Sequence, residues 1–173
     1  MANVDSRGEE PGPAPRAIRD EVRPADREIV RAIVAATGFF TPAEVEVAVE
    51  LVEDRLREGP ASGYHFVFAE EHGTTRGYVC YGPIACTQAS YDLYWIAVEP
   101  SRRGKGLGKA LLGEAERRIR AMGGRRVYIE TSNRAQYAST RGFYQRCGYR
   151  PEAILTDFYA PGDDRVTYVK VLY

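Results

Sequence analysis

Apolar residues recur at helical spacing in three stretches of this chain. In "PADREIVRAIVAATG", Ile29, Ile33 and Val34 form one stripe, with Pro24 near the start and Gly38 past the end. In "FFTPAEVEVAVELVEDRLREG" the stripe is Val45, Val49, Val52 and Leu56. Thr41 is placed as an N-cap, Pro42 as the first helical residue and Glu44 as the capping-box acid. A third helix carries Leu107, Leu111, Ala115, Ile119 and Met122 and stops at Gly123-Gly124. Other segments are rich in β-branched and aromatic residues. "YHFVFAEEHGTTRGYVCYGP" predicts a hairpin about "HGTT", and "YDLYWIAVEP" a strand halted by Pro100. "RRVYIETS", "YRPEAILTDFY" and "RVTYVKVLY" predict three more strands, the last two joined at "APGDD". "YASTRGFYQRCG" predicts a short helix, and a short first strand falls near "AIRDEVR".

Strand, glycine turn, amphipathic helix and strand in succession make a βαβ unit with a right-handed crossover. Hairpins surround it, so the class is α/β with a mostly antiparallel sheet. The 173 residues suffice for one domain with a sizeable core. Residues 1–15, rich in Pro, Gly and charge, are expected to be a disordered tail, and 16–173 the domain. Acidic and basic residues balance at 24 each, which argues against a nucleic-acid binder. No apolar run reaches the ~18 residues a membrane helix needs, and the N-terminus lacks an apolar signal core. Cys80, Cys86 and Cys147 make no C-x-x-C pair, which suits a reducing cytoplasm. His65 and His72 are too isolated for a metal site.

The candidate chemistry begins with "RRGKGLGKALL" at 102–112. Each glycine weakens a helix by roughly 1 kcal/mol relative to alanine, so three at alternate positions need another reason. A helix N-terminus exposes unpaired N–H groups, and glycine lets an oxyanion approach them. Arg102, Arg103, Lys105 and Lys109 add positive charge. The segment is read as a phosphate or pyrophosphate cradle. A Walker loop fails because position 103 is Arg and position 110 is Ala. A G-x-G-x-x-G fingerprint fails at Lys109 or Leu111, depending on the starting glycine. A flexible turn feeding a surface helix is the plain alternative.

Arg103-x-x-Gly106-x-Gly108 on a strand-to-helix turn resembles the GNAT superfamily of acyl-CoA-dependent N-acetyltransferases. "RRVYIET" and "FYQRCGY" resemble that family's next strand and its aromatic-Tyr…Gly-aromatic segment, so the likeness spans residues 91 to 149. The resemblance implies a single-domain fold whose central parallel strands splay at their C-terminal ends, flanked by helices. It implies acetyl-CoA as cosubstrate and no metal. It implies that the backbone of Arg103, Gly104, Lys105, Gly106, Leu107, Gly108 and Lys109 holds the CoA pyrophosphate. Ile96 and Val98 would offer backbone groups to the pantetheine arm, with an oxyanion hole near Ile96 and Tyr144 as general acid. The chain departs from the pattern at Tyr137, where the family often has Asn. No CoA role passes to the nearby Asn133. Arg141 matches a position often basic.

An amine nucleophile must lose a proton before or during attack. Asp92 is the first candidate base, with Glu130 and water left open. Phe39, Phe40, Tyr81, Tyr94, Tyr159 and Asp157 are candidates for the acceptor pocket, with core packing the alternative for the rings. "GDDR" is either a cation contact or an ordinary hairpin turn. Cys147 is read as a packing residue. The expected activity is acetyl transfer to a primary amine of a small or amino-acid-like molecule, with a peptide amine still open. Neither nucleic acid nor membrane is an expected partner, and a homodimer is left open. The rivals are a CoA-binding sensor without turnover and a nucleotide-phosphate binder unrelated to CoA.

Overall fold

The computed structural model describes residues 16–173, and the expected tail at 1–15 lies outside the described residues. Among the described residues seven strands form one sheet in the order β1-β2-β3-β4-β5-β7-β6. They are β1 (Arg16–Arg19), β2 (His65–Glu71), β3 (Thr74–Pro83), β4 (Ser90–Val98), β5 (Arg126–Ser132), β6 (Arg150–Ala160) and β7 (Asp163–Val171). All neighbours are antiparallel except β4 and β5. Among the described residues four α-helices pack on the sheet: α1 (Asp26–Ala36), α2 (Pro42–Glu58), α3 (Leu107–Ala121) and α4 (Ala138–Arg146). Among the described residues no helix is long and apolar enough to cross a membrane.

Side-chain alternation sorts the core into two layers. Phe66 and Phe68 of β2, with Tyr78 and Cys80 of β3, pack under Val30 and Val34 of α1 and Val49 and Val52 of α2. Val67, Ala69, Val79 and Tyr81 point the other way, under Leu107, Leu111, Ala115 and Ile119 of α3. The capping box of α2 forms as expected: Glu44 N–H donates to Thr41 Oγ1 at 3.3 Å, and Thr41 N–H donates to the Glu44 carboxylate at 2.7 Å. The β2–β3 turn is the residue pair His72-Gly73, with φ of 51° and 75°, as a two-residue hairpin loop requires. Two expected stripe residues differ. Met122 follows the last turn of α3 and is exposed, and Leu56 only edges the α1–α2 layer.

One β-bulge matters for the site. Cys80 of β3 pairs with Trp95 and Tyr81 pairs with Leu93, so Tyr94 is the extra residue in β4. Before it, Tyr91 and Leu93 face α3; after it, Trp95 and Ala97 face α1 and α2. The Tyr94 ring is seated by Gly82, where an added Cβ would lie 3.1 Å from that ring and 2.3 Å from the Gly63 carbonyl oxygen. Gly82→Ala is therefore expected to destabilise the protein, on the order of 1–3 kcal/mol. A thermal midpoint equal to wild type would show that the seat is not tight.

Candidate active site

β4 and β5 pair over only three residue pairs, Ser90↔Arg126, Tyr91↔Val127 and Asp92↔Tyr128. Beyond them β4 stays on β3 as far as Val98, and β5 stays on β7 as far as Ser132. The strands part into a cleft of about 700 Å³. Its lining includes Trp95, Ile96, Ala97 and Val98 on one side and Glu130, Thr131 and Ser132 on the other. The cleft opens toward both faces of the sheet. Ile96, Val98, Leu107, Phe143 and Tyr144 belong to the layer under α3, whereas Phe40, Trp95 and Ala97 belong to the layer of α1 and α2.

The glycine turn stands at the C-terminal end of β4. Gly104 and Gly106 adopt φ of 73° and 79°, which an L side chain rarely tolerates. Gly106 is the N-cap of α3; no side chain caps the helix, and its first turn holds no acid. The N–H groups and positive dipole end of the helix are thereby left to an anion. Gly108 packs against α4: a Cβ there would meet the Phe143 ring at an ordinary contact distance of 3.4 Å. Arg103, Gly104, Gly106, Leu107, Gly108 and Lys109 line the cleft; Lys105 is exposed in the same turn outside that lining. The nearby cations are less mobile than their sequence suggests. Arg102 is paired with the buried Glu71 carboxylate at 2.6 Å. Arg103 donates to the Thr37 carbonyl at 3.2 Å and lies 5.3 Å from the centre of the Phe39 ring.

Tyr144 is buried against Tyr149 and Tyr168, and burial pushes its hydroxyl well above the ordinary tyrosine value. It stays protonated at neutral pH, as a proton donor must. Cys147 also lines the cleft; burial and the Glu116 charge raise its thiol, so it is no thiolate nucleophile.

Asp92 closes the parallel pairing but does not line the cleft. It is half-buried. Burial raises its pKa, the Glu130 charge adds to that rise, and Arg165 opposes it. Glu130 does line the cleft and pairs with Arg165 at 3.2 Å. The two carboxylates act as one negative locus where the strands separate.

Phe39, Phe40, Tyr94 and Tyr159 of the expected acceptor set line the cleft. Tyr81 and Asp157 do not. Tyr81 faces the opposite layer and is 2% exposed beneath α3. Asp157 lies in an irregular stretch of β6 at φ 53°, and its carboxylate accepts the Gly162 N–H at 2.7 Å. The "GDDR" segment is likewise tied down: Asp163 pairs with Arg134 at 2.9 Å, and Asp164 accepts from the Asn133 amide at 2.7 Å. Arg141 donates to the Ser132 and Arg134 carbonyls, joining α4 to the end of β5. Among the described residues no cluster of three His, Cys, Asp or Glu is placed to hold a metal.

Sequence reasoning missed the bulge at Tyr94 and the bridge over the cleft. Tyr137 donates to the Phe39 carbonyl at 3.3 Å, with ring centroids 5.5 Å apart. The one available signal was Tyr at the place where Asn is usual.

Residues 31–149 match the model of the Acetyltransferase (GNAT) family. The chain belongs to that family. A GNAT-family protein of known structure from Desulfovibrio desulfuricans is 50% identical, with a TM-score of 0.90 over 92% of this chain and 100% of that one. An aminoglycoside 6′-N-acetyltransferase complexed with coenzyme A shares the fold at 17% identity, with a TM-score of 0.73 over 91% of this chain and 97% of that one. A mycothiol acetyltransferase from Beutenbergia cavernae is 35% identical over 75 residues, 42% of this chain and 24% of that protein. The chain spans about a third or less of the length of the curated relatives it matches.

The coupling inside this GNAT site has a measurable sign. Removing the neighbouring charge with Glu130→Gln should lower the Asp92 pKa, while burial keeps it above the usual aspartate value. Carboxyl carbon NMR titration of both proteins reads the shift directly. An Asp92 resonance that titrates identically in the two would show the carboxylates to be uncoupled.

Proposed function

We propose that the protein is an acetyl-CoA-dependent N-acetyltransferase acting on a primary amine by direct attack. The observation that carries this reading is the parting of β4 from β5 beyond Asp92 and Tyr128, beside a helix start with no side-chain cap. The edge of β4 from Trp95 to Val98 is offered to the cleft. A pantetheine arm carries amides, and it can use that edge as an added strand would. The turn from Arg103 to Lys109 then takes the pyrophosphate, through α3 N–H groups and the Arg103 and Lys109 charges. The CoA-bound fold neighbour supports that family-level ligand.

The chemistry balances between the two faces. The amine nitrogen attacks the acetyl carbonyl carbon, and the C–S bond breaks. Backbone N–H near Ile96 stabilises the carbonyl oxygen as it gains charge. The Asp92–Glu130 locus takes the nitrogen proton, directly or through a water. Tyr144, on the α3 side with its proton held by burial, gives one to the departing sulfur. No covalent enzyme intermediate is required. The acceptor is a small or amino-acid-like molecule in this reading, met by the aromatic residues that line this side of the cleft.

Free-thiol release across an amine panel tests the reading. Saturable CoA binding with no thiol from any amine would leave only a sensor. Protection by ATP or NAD without protection by CoA would leave only a nucleotide binder. Gly106→Glu puts bulk and negative charge on the pyrophosphate position. It is expected to weaken CoA binding at least tenfold by calorimetry, and an unchanged Kd in a folded variant would place the carrier elsewhere. Tyr144→Phe should lower kcat at least tenfold while changing the KM for acetyl-CoA by less than threefold. Equal turnover would remove the acid role.

A further inference from the structure

We infer that the acceptor is an amine carrying a flat apolar body, an arylalkylamine in chemical class. This rests on the acetyltransferase reading above. Carrier and acceptor cannot share one face of the cleft, and the glycine turn and Tyr144 occupy the α3 side. The acceptor is left with the α1–α2 side.

Aromatic rings make that side. Phe40 and Trp95 meet edge to face at 4.7 Å. Tyr94 stands against Tyr64 at 5.4 Å. Tyr159 closes the mouth from β6. Tyr94 and Tyr159 are nonetheless 39% and 48% exposed, so large aromatic surface stays in water at the cleft entrance. A planar apolar ligand would cover it, and rings in offset or edge contact would hold that ligand.

Charge places the ammonium. Glu44 lines this side, and one of its carboxylate oxygens accepts from the Thr41 N–H and hydroxyl in the α2 cap. Glu130, with Asp92 behind it, is a second negative locus, and Arg165 offsets part of it.

The experiment is acetyl-CoA turnover, read as free thiol, with four amines: 2-phenylethylamine, butylamine, spermidine and kanamycin. The expected result is a kcat/KM for 2-phenylethylamine at least tenfold above each of the others. The variants Trp95→Leu and Phe40→Leu keep apolar volume but remove a ring. Each should cut the phenylethylamine-to-butylamine ratio at least fivefold. CoA-induced thermal stabilisation confirms that each variant folds. If spermidine or kanamycin leads, or butylamine equals 2-phenylethylamine, the inference falls while the acetyltransferase reading stands. If no amine releases thiol although CoA stabilises the protein, both fall. A variant that folds and keeps the full ratio overturns the assignment of the rings to the acceptor.

Discussion

The structure depends on a short parallel contact in the middle of its sheet. Three residue pairs join β4 to β5, and all other pairing belongs to one half-sheet or the other. β3 holds β4 through Val98, and β7 holds β5 through Ser132, so neither strand needs its parallel neighbour to stay ordered. That independence allows the strands to diverge. Divergence leaves backbone N–H and C=O groups of β4 facing a cleft inside the domain. Such groups must be met by water or by a ligand with amides of its own. The bulge at Tyr94 adds to this by turning the strand over at the point of parting. A single extra residue moves Trp95 to the α1–α2 side and leaves Ile96 and Val98 on the α3 side. One strand thus supplies walls to both mouths.

The electrostatics follow the same division. On the α3 side, the helix begins at an uncapped glycine without an acid in its first turn, and Arg102 is already neutralised by Glu71. The positive potential there comes from aligned peptide groups, with Arg103 and Lys109 beside them. Fixed dipoles of this kind need no side-chain ordering when an anion arrives. On the α1–α2 side, Asp92 and Glu130 make the negative locus, and partial burial keeps the Asp92 proton affinity above that of a free aspartate. A carboxylate so placed is a better proton acceptor than one in water. A tyrosine held far above its ordinary pKa by burial stays protonated on the opposite side. The sheet separates the carboxylates from the buried phenol.

Much of this was legible in the sequence because it is written in local signals. Thr41 and Glu44 announce the start of α2, His72-Gly73 the first hairpin, and Leu107 to Ile119 the face of α3. Gly104 and Gly106 are glycines because their φ values demand it, and their positions mark the turn. What stayed hidden depends on contacts between segments distant in sequence. Tyr81 looks like any other aromatic near the cleft until alternation along β3 turns it under α3. Asp157 and the "GDDR" acids look like a ligand for a cation until Gly162 and Arg134 are seen to occupy them. A bulge has no residue-type requirement at Tyr94, so periodicity along β4 could not reveal the reversal of faces.

The bridge from Thr37 to Phe39 ties these halves together. Arg103, from the turn after β4, donates to the Thr37 carbonyl; Tyr137, from the segment after β5, donates to the Phe39 carbonyl. The junction between α1 and α2 is therefore held by both half-sheets across the gap. Spreading the strands further would break one of these bonds and the contact of the Phe39 and Tyr137 rings. The gap between the strands is thus spanned by contacts made within the protein itself. Asn would have been too short at position 137 to reach across in this way with a ring contact as well. The departure from the family pattern is thus the residue that spans the site, and its hydroxyl serves the protein's own backbone.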